Sequence, residues 1–169
     1  MKKAIIITGK LVQDHEFIYP FYRLQEAGYS VDVAVKNKEL VFGQLGSKII
    51  PTKDIVGLNP DEYDIVVIPG GAKCLEYLRQ DQDALDFIAS AHKVKKTIAA
   101  ICHGSQMLIS AKIVKGKKIS GYYSIKDDIN NAGAMYVDAP AVTDGNIVTS
   151  PHYKYLGDWM RQTLRVTEQ

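Results

Sequence analysis

With 169 residues, 46% of them hydrophobic and 24% charged, the chain has the size and balance of one globular domain, spanning 1–169, with a sizeable core. A net charge of +2 gives no reason to expect nucleic acid, and Lys115, Lys117 and Lys118, which lack interleaved aromatics, read as a solvated face at a helix C-terminus. The apolar run near Met1–Thr8 is too short for a signal peptide or a membrane span, so a cytoplasmic protein is expected, with Cys74 and Cys102 both as thiols.

In chain order, Lys3–Thr8 predicts a buried strand, Glu16–Ala27 a helix with Phe17, Tyr19 and Leu24 on its apolar face, and Ser30–Val35 a second strand. Pro20 falls inside that helix near its start, and Gly28 ends it. Leu40–Pro51 suggests a small hairpin or irregular excursion. Tyr63–Ile68 predicts the next buried strand, closed by Pro69-Gly70-Gly71, and Asp81–Lys93 a helix. Thr97–Ile101 is small or β-branched throughout, as a strand covered on both faces is, and Ser105–Ile113 then carries helical spacing. Short strands are expected at Lys118–Gly121, Ala141–Thr143 and Asn146–Thr149, with a last helix over Tyr155–Arg165. The alternation implies an α/β, flavodoxin-like sandwich in a single domain: a mostly parallel sheet with helices on both faces.

Cys102 therefore sits on a strand-to-helix corner, followed at once by His103 and Gly104. Such a nucleophile elbow holds a side chain clear of the backbone, with the glycine letting the helix pack close beneath. The helix N-terminus is expected to lower the thiol pKa, and the His103 N–H to hold a developing oxyanion. Inert packing is the competing explanation for an apolar-flanked cysteine. Ligands of parallel sheets bind outside the carboxyl ends of the strands, where the end of the first strand, the Gly70-Gly71 turn and Cys102 converge.

Several ordered motifs resemble the PfpI-type intracellular protease and deglycase family, within the class I glutamine-amidotransferase-like superfamily. They are Asp14–Pro20, Ile68–Gly71, Ala100–Gly104, Ser110-Ala111 with Lys115–Lys118, Ile125–Gly133, Val148–Ser150 and Trp159–Arg161. The resemblance implies Cys102 as nucleophile, Glu16 as the carboxyl contacting its sulfur, and His103 as general base or acid. Gly70, Gly71 and the His103 N–H would form the oxyanion side, and Tyr122 would line the pocket. It also implies a homo-oligomer, a dimer or hexamer, whose interface supplies an acid to His103. Glu76 is the candidate, although it stands one residue farther from Gly70-Gly71 than the family pattern has it. Further departures are Gln13 for a second glutamate, Ser105 for a proline, and Ser150–Tyr155, where His152 is a candidate lining residue.

Together these readings predict covalent catalysis by a Cys102 thiolate on an electrophilic carbonyl, without metal or other cofactor. Small carbonyl or glycated substrates, as in a deglycase or glyoxalase-like enzyme, and peptides all fit, and neither membrane nor nucleic acid is an expected partner. The alternatives are a stress-response redox sensor or chaperone-like protein with an oxidisable Cys102, and a non-catalytic ligand-binding member.

Overall fold

The computed structural model describes residues 1–169. Lys3–Ile7 (β1) leads through helix α1 (Asp14–Glu26) to β2 (Ser30–Ala34). A small antiparallel hairpin, β3 (Val41–Phe42) and β4 (Lys48–Ile49), occupies the expected excursion. β5 (Ile65–Ile68), α2 (Ala72–Leu78), α3 (Gln82–Lys93) and β6 (Thr97–Ile101) follow. Then come α4 (Ser105–Ser110), β7 (Lys118–Ile119), α5 (Lys126–Asn131), β8 (Met135–Tyr136), β9 (Val142–Asp144), β10 (Ile147–Ser150) and α6 (Leu156–Thr167).

The main sheet has the order β2-β1-β5-β6-β10-β9, parallel except for β9, which runs antiparallel to β10. The order grows in both directions from β1, and right-handed crossovers then send helices to both faces. α1 and α6 pack on each other, and α6 on β6 and β10; α3 lies on β6 and joins α4. β5 and β6 are buried along their whole length, which is why their sequences are continuous rather than alternating. α6 turns Trp159, Met160, Thr163 and Leu164 inward.

Both margins of the sheet are covered. Outside β2, the Val33 carbonyl accepts from the Thr52 and Lys53 N–H groups, and the Val33 N–H donates to the Thr52 hydroxyl at 2.9 Å. At the other margin β7, paired in parallel with β8 as a separate two-stranded sheet, packs against β9.

Three expectations shift. α1 starts two residues early, because the Gln13 side chain caps it by accepting from the Glu16 N–H at 3.1 Å, and it runs through Pro20 to Glu26. α4 ends at Ser110 instead of Ile113. Lys118–Gly121 contributes only two residues of strand, outside the main sheet.

Candidate active site

β6 delivers the nucleophile candidate to the sheet's carboxyl edge. Cys102 follows it with φ +58°, a left-handed conformation costly for a residue with a Cβ, and opens a short 3-10 turn, Cys102–Gly104, that leads into α4. Gly104 permits the turn, since a Cβ there would stand 2.5 Å from the Ile68 carbonyl oxygen.

Glu16, in the first turn of α1, is fully buried and accepts from the Gly70 N–H at 2.9 Å through Oε1. Its Oε2 has no hydrogen-bond partner, and its side chain faces Cys102 across Gly70. Gly70 is the spacer between them: a Cβ there would meet Glu16 Oε1 at 2.6 Å and the Cys102 Cβ at 2.9 Å. Gly71, at φ +105°, is pressed against the loop before α1, and its N–H, with that of His103, donates to the Cys102 sulfur. Burial pushes the Glu16 carboxyl up to about 8, against the hydrogen bond from Gly70 and the facing Cys102 thiol.

The thiol itself departs from the expectation of a lowered pKa. Cys102 is only 7% exposed, and burial, followed by the facing Glu16 charge, raises it; the His103 and Gly71 N–H groups oppose this without prevailing. Desolvation outweighs the dipole of a six-residue helix.

The half-buried His103 lies with Nδ1 3.6 Å from Cys102 Sγ and Nε2 3.5 Å from Ser124 Oγ, its ring stacked on Tyr122 at 4.9 Å. Burial lowers its pKa, opposed by the Asp128 charge. Glu76 has no contact with His103 in the chain: it is exposed on α2 and pairs with Lys73 at 3.4 Å. His152 stands 6.1 Å from Tyr122, its Nδ1 accepting from the Lys154 N–H at 3.1 Å and its pKa lowered by burial and by Lys154. Ser105, at the position where the resemblance implies a proline, donates to the Ser120 carbonyl at 2.6 Å.

Thus Cys102, Glu16, His103, Gly70, Gly71 and Tyr122 converge, His152 borders them, and Glu76 stands apart. Ser124, Asp128, His15 and Tyr153 join the site without having been singled out by sequence. His15, Asp128 and Tyr153 fall inside the stretches Asp14–Pro20, Ile125–Gly133 and Ser150–Tyr155; nothing local marks Ser124. No group of three His, Cys, Asp or Glu side chains could hold a metal ion, and no helix is long and apolar enough to cross a membrane. A cavity of about 390 Å3 at the ends of β1 and β2, lined by Thr8, Lys10, Lys36, Cys74 and Tyr77 among others, includes none of the site residues.

A model of the DJ-1/PfpI family matches residues 2–166. The chain belongs to that family. Deglycase PfpI of Pyrococcus furiosus and Deglycase PH1704 of Pyrococcus horikoshii are each 37% identical to it over 164 residues, covering 97% of this chain and 98% of theirs. Among solved DJ-1/PfpI structures, a two-domain protein of Anabaena variabilis, containing DJ-1/ThiJ/PfpI-like and ferritin-like domains, matches with a TM-score of 0.93 and 34% identity. That match covers 98% of this chain and 48% of the Anabaena one. DJ-1beta of Drosophila melanogaster matches with a TM-score of 0.89 at 29% identity, covering 99% and 89%.

Proposed function

We propose that this DJ-1/PfpI protein is a cysteine-dependent hydrolase of carbonyl or glycated substrates, with Cys102 as nucleophile and His103 and Glu16 as its proton carriers. The observation that carries the reading is Cys102 itself: held at φ +58°, facing a fully buried carboxyl across Gly70 and 3.6 Å from an imidazole nitrogen. Inert packing would need none of these. The deglycase names of relatives 37% identical to it support the same class.

On an α-oxoaldehyde, the sulfur attacks the aldehyde carbon, and the thiol proton ends on the former carbonyl oxygen as a hemithioacetal forms. Moving the hydrogen from that carbon to the neighbouring carbonyl carbon, and the hydroxyl proton to that carbonyl's oxygen, gives a thioester of a 2-hydroxy acid. Water then cleaves the C–S bond, releasing the acid and restoring the thiol, with no external oxidant. His103 and Glu16 flank the sulfur and serve as the acid and base for these transfers. The Gly71 and His103 N–H groups, aimed at the sulfur, stand beside the carbon that becomes tetrahedral and suit its developing oxyanion.

The test is turnover of methylglyoxal and of a methylglyoxal-glycated thiol by wild type and Cys102→Ala. Loss of both activities to background in the variant is the expected result; equal rates would overturn the proposal.

A further inference from the structure

The rings around Cys102 form a connected series. His103 stacks on Tyr122 at 4.9 Å, and Tyr122 lies 5.7 Å from Tyr123 and 6.1 Å from His152. Tyr123 stacks on His152 at 6.4 Å, His152 meets Tyr153 at 4.1 Å, and Tyr153 stacks on His15 at 5.5 Å.

Every segment in this series is anchored beside the nucleophile. His103 follows Cys102, His15 precedes Glu16, and the Tyr122 N–H donates to the Cys102 carbonyl at 3.1 Å. His152 stands two residues beyond Ser150, whose parallel partner is Ile101. Core packing does not account for the arrangement, because Tyr123 is 40% and Tyr153 44% exposed. Leaving such rings in water forgoes the burial that makes aromatic residues stabilising.

The charge on this rim narrows what it suits. Lys154 Nζ lies 5.9 Å from the Tyr123 ring centre and 5.1 Å from that of Tyr155. A cation is therefore already seated on the aromatic faces, which disfavours a second one and favours a flat, neutral or anionic guest.

We propose that the series His103–Tyr122–Tyr123–His152–Tyr153–His15 is a recognition rim that selects aryl-conjugated α-dicarbonyl compounds over small aliphatic ones at Cys102. The proposal rests on the reading of Cys102 as a nucleophile toward carbonyls. An aryl ring conjugated with its ketone is flat, so stacking on the rim leaves the terminal aldehyde carbon as the part directed at sulfur. The bond changes are those of the α-oxoaldehyde reaction above: an arylglyoxal and one water become an aryl 2-hydroxy acid, the aldehyde carbon being oxidised and the ketone carbon reduced.

Two measurements test it. The first compares kcat/KM for phenylglyoxal and methylglyoxal in wild type, the double variant His152→Ala/Tyr153→Ala, and Tyr153→Phe. Removing two stacking faces is expected to lower the ratio of phenylglyoxal to methylglyoxal about tenfold, whereas Tyr153→Phe, which keeps the ring, retains it. A ratio unchanged in the double variant, or a loss in Tyr153→Phe equal to that of the double variant, would overturn the proposal. The second titrates benzoylformate and pyruvate calorimetrically into Cys102→Ala, with and without the double substitution. Tighter benzoylformate binding that disappears with the rim supports the proposal; equal dissociation constants overturn it. If wild type turns over neither aldehyde while aryl-selective binding persists, the catalytic reading falls and the rim stands.

Discussion

At the scale of single residues, the site is organised by what one glycine allows. Gly70 separates a carboxyl from a thiol, and its missing Cβ is the space in which the two meet. Gly70→Ala is expected to cost about 1–3 kcal/mol in denaturant unfolding, as other overpacked positions do, and to abolish turnover by parting Glu16 from Cys102. Proton traffic in this pair sets the pH response. Glu16 ionises at about 8, and an ionised Glu16 can take the thiol proton as the sulfur attacks. Activity is therefore expected to rise as pH approaches 8. In Glu16→Gln that limb moves to higher pH, because the buried thiol must then lose its proton unaided, and kcat/KM at pH 7.5 falls about a hundredfold or more. A pH profile whose limb stays in place would remove Glu16 from this role.

At the scale of elements, helix α1 carries the burden of alignment. Its first residue, Asp14, is buried and accepts from the Leu45 N–H at 2.7 Å, the Ser47 N–H at 2.9 Å and the Ser47 hydroxyl, tying the turn between β3 and β4 to the helix. Burial would raise its pKa, but these donors prevail and lower it. Asp14→Ala strands two backbone donors and is expected to cost about 1–3 kcal/mol, with faster amide exchange confined first to Phe42–Ser47. The long periodic elements are legible in the amino-acid sequence: β1, β5, β6, α3 and α6 fall within a residue or two of where the apolar pattern puts them. α2 and α5, at seven and six residues, are about two turns or less, too short for a helical period to stand out in the sequence. The site is legible in part. Cys102, His103, Glu16 and the double glycine each carry a local signal. The tie of Ser124 and Asp128 to His103 is not legible, since they lie more than twenty residues away and are brought in only by α5 and the turn before it.

At the scale of the whole molecule, the buried Glu16 couples stability to pH. Its pKa in the folded protein lies above that of an unfolded chain, so its contribution is complete below about 4.5 and drains away as pH rises toward about 8. The difference in unfolding free energy between wild type and Glu16→Gln should therefore shift against wild type across that window and level off above it. A difference that is flat with pH would show that Glu16 ionises normally. Assembly is testable on its own terms. If a second copy brings Glu76 to His103, as the family resemblance implies, Glu76→Gln lowers kcat without altering the sedimentation mass; unchanged kcat would leave Asp128 as the acid whose charge bears on that imidazole.

The covered margins of the main sheet bear on how such copies can meet. Thr52-Lys53 occupies the outer side of β2, and the β7–β8 pair shields β9, so neither end presents a long open row of amides to a neighbouring chain. Association by strand addition, the route by which exposed edges template fibrils, is closed at both ends. Concentrated solutions should remain silent to amyloid-binding dyes, and a contact between copies, where one forms, is expected on helix and loop surfaces instead.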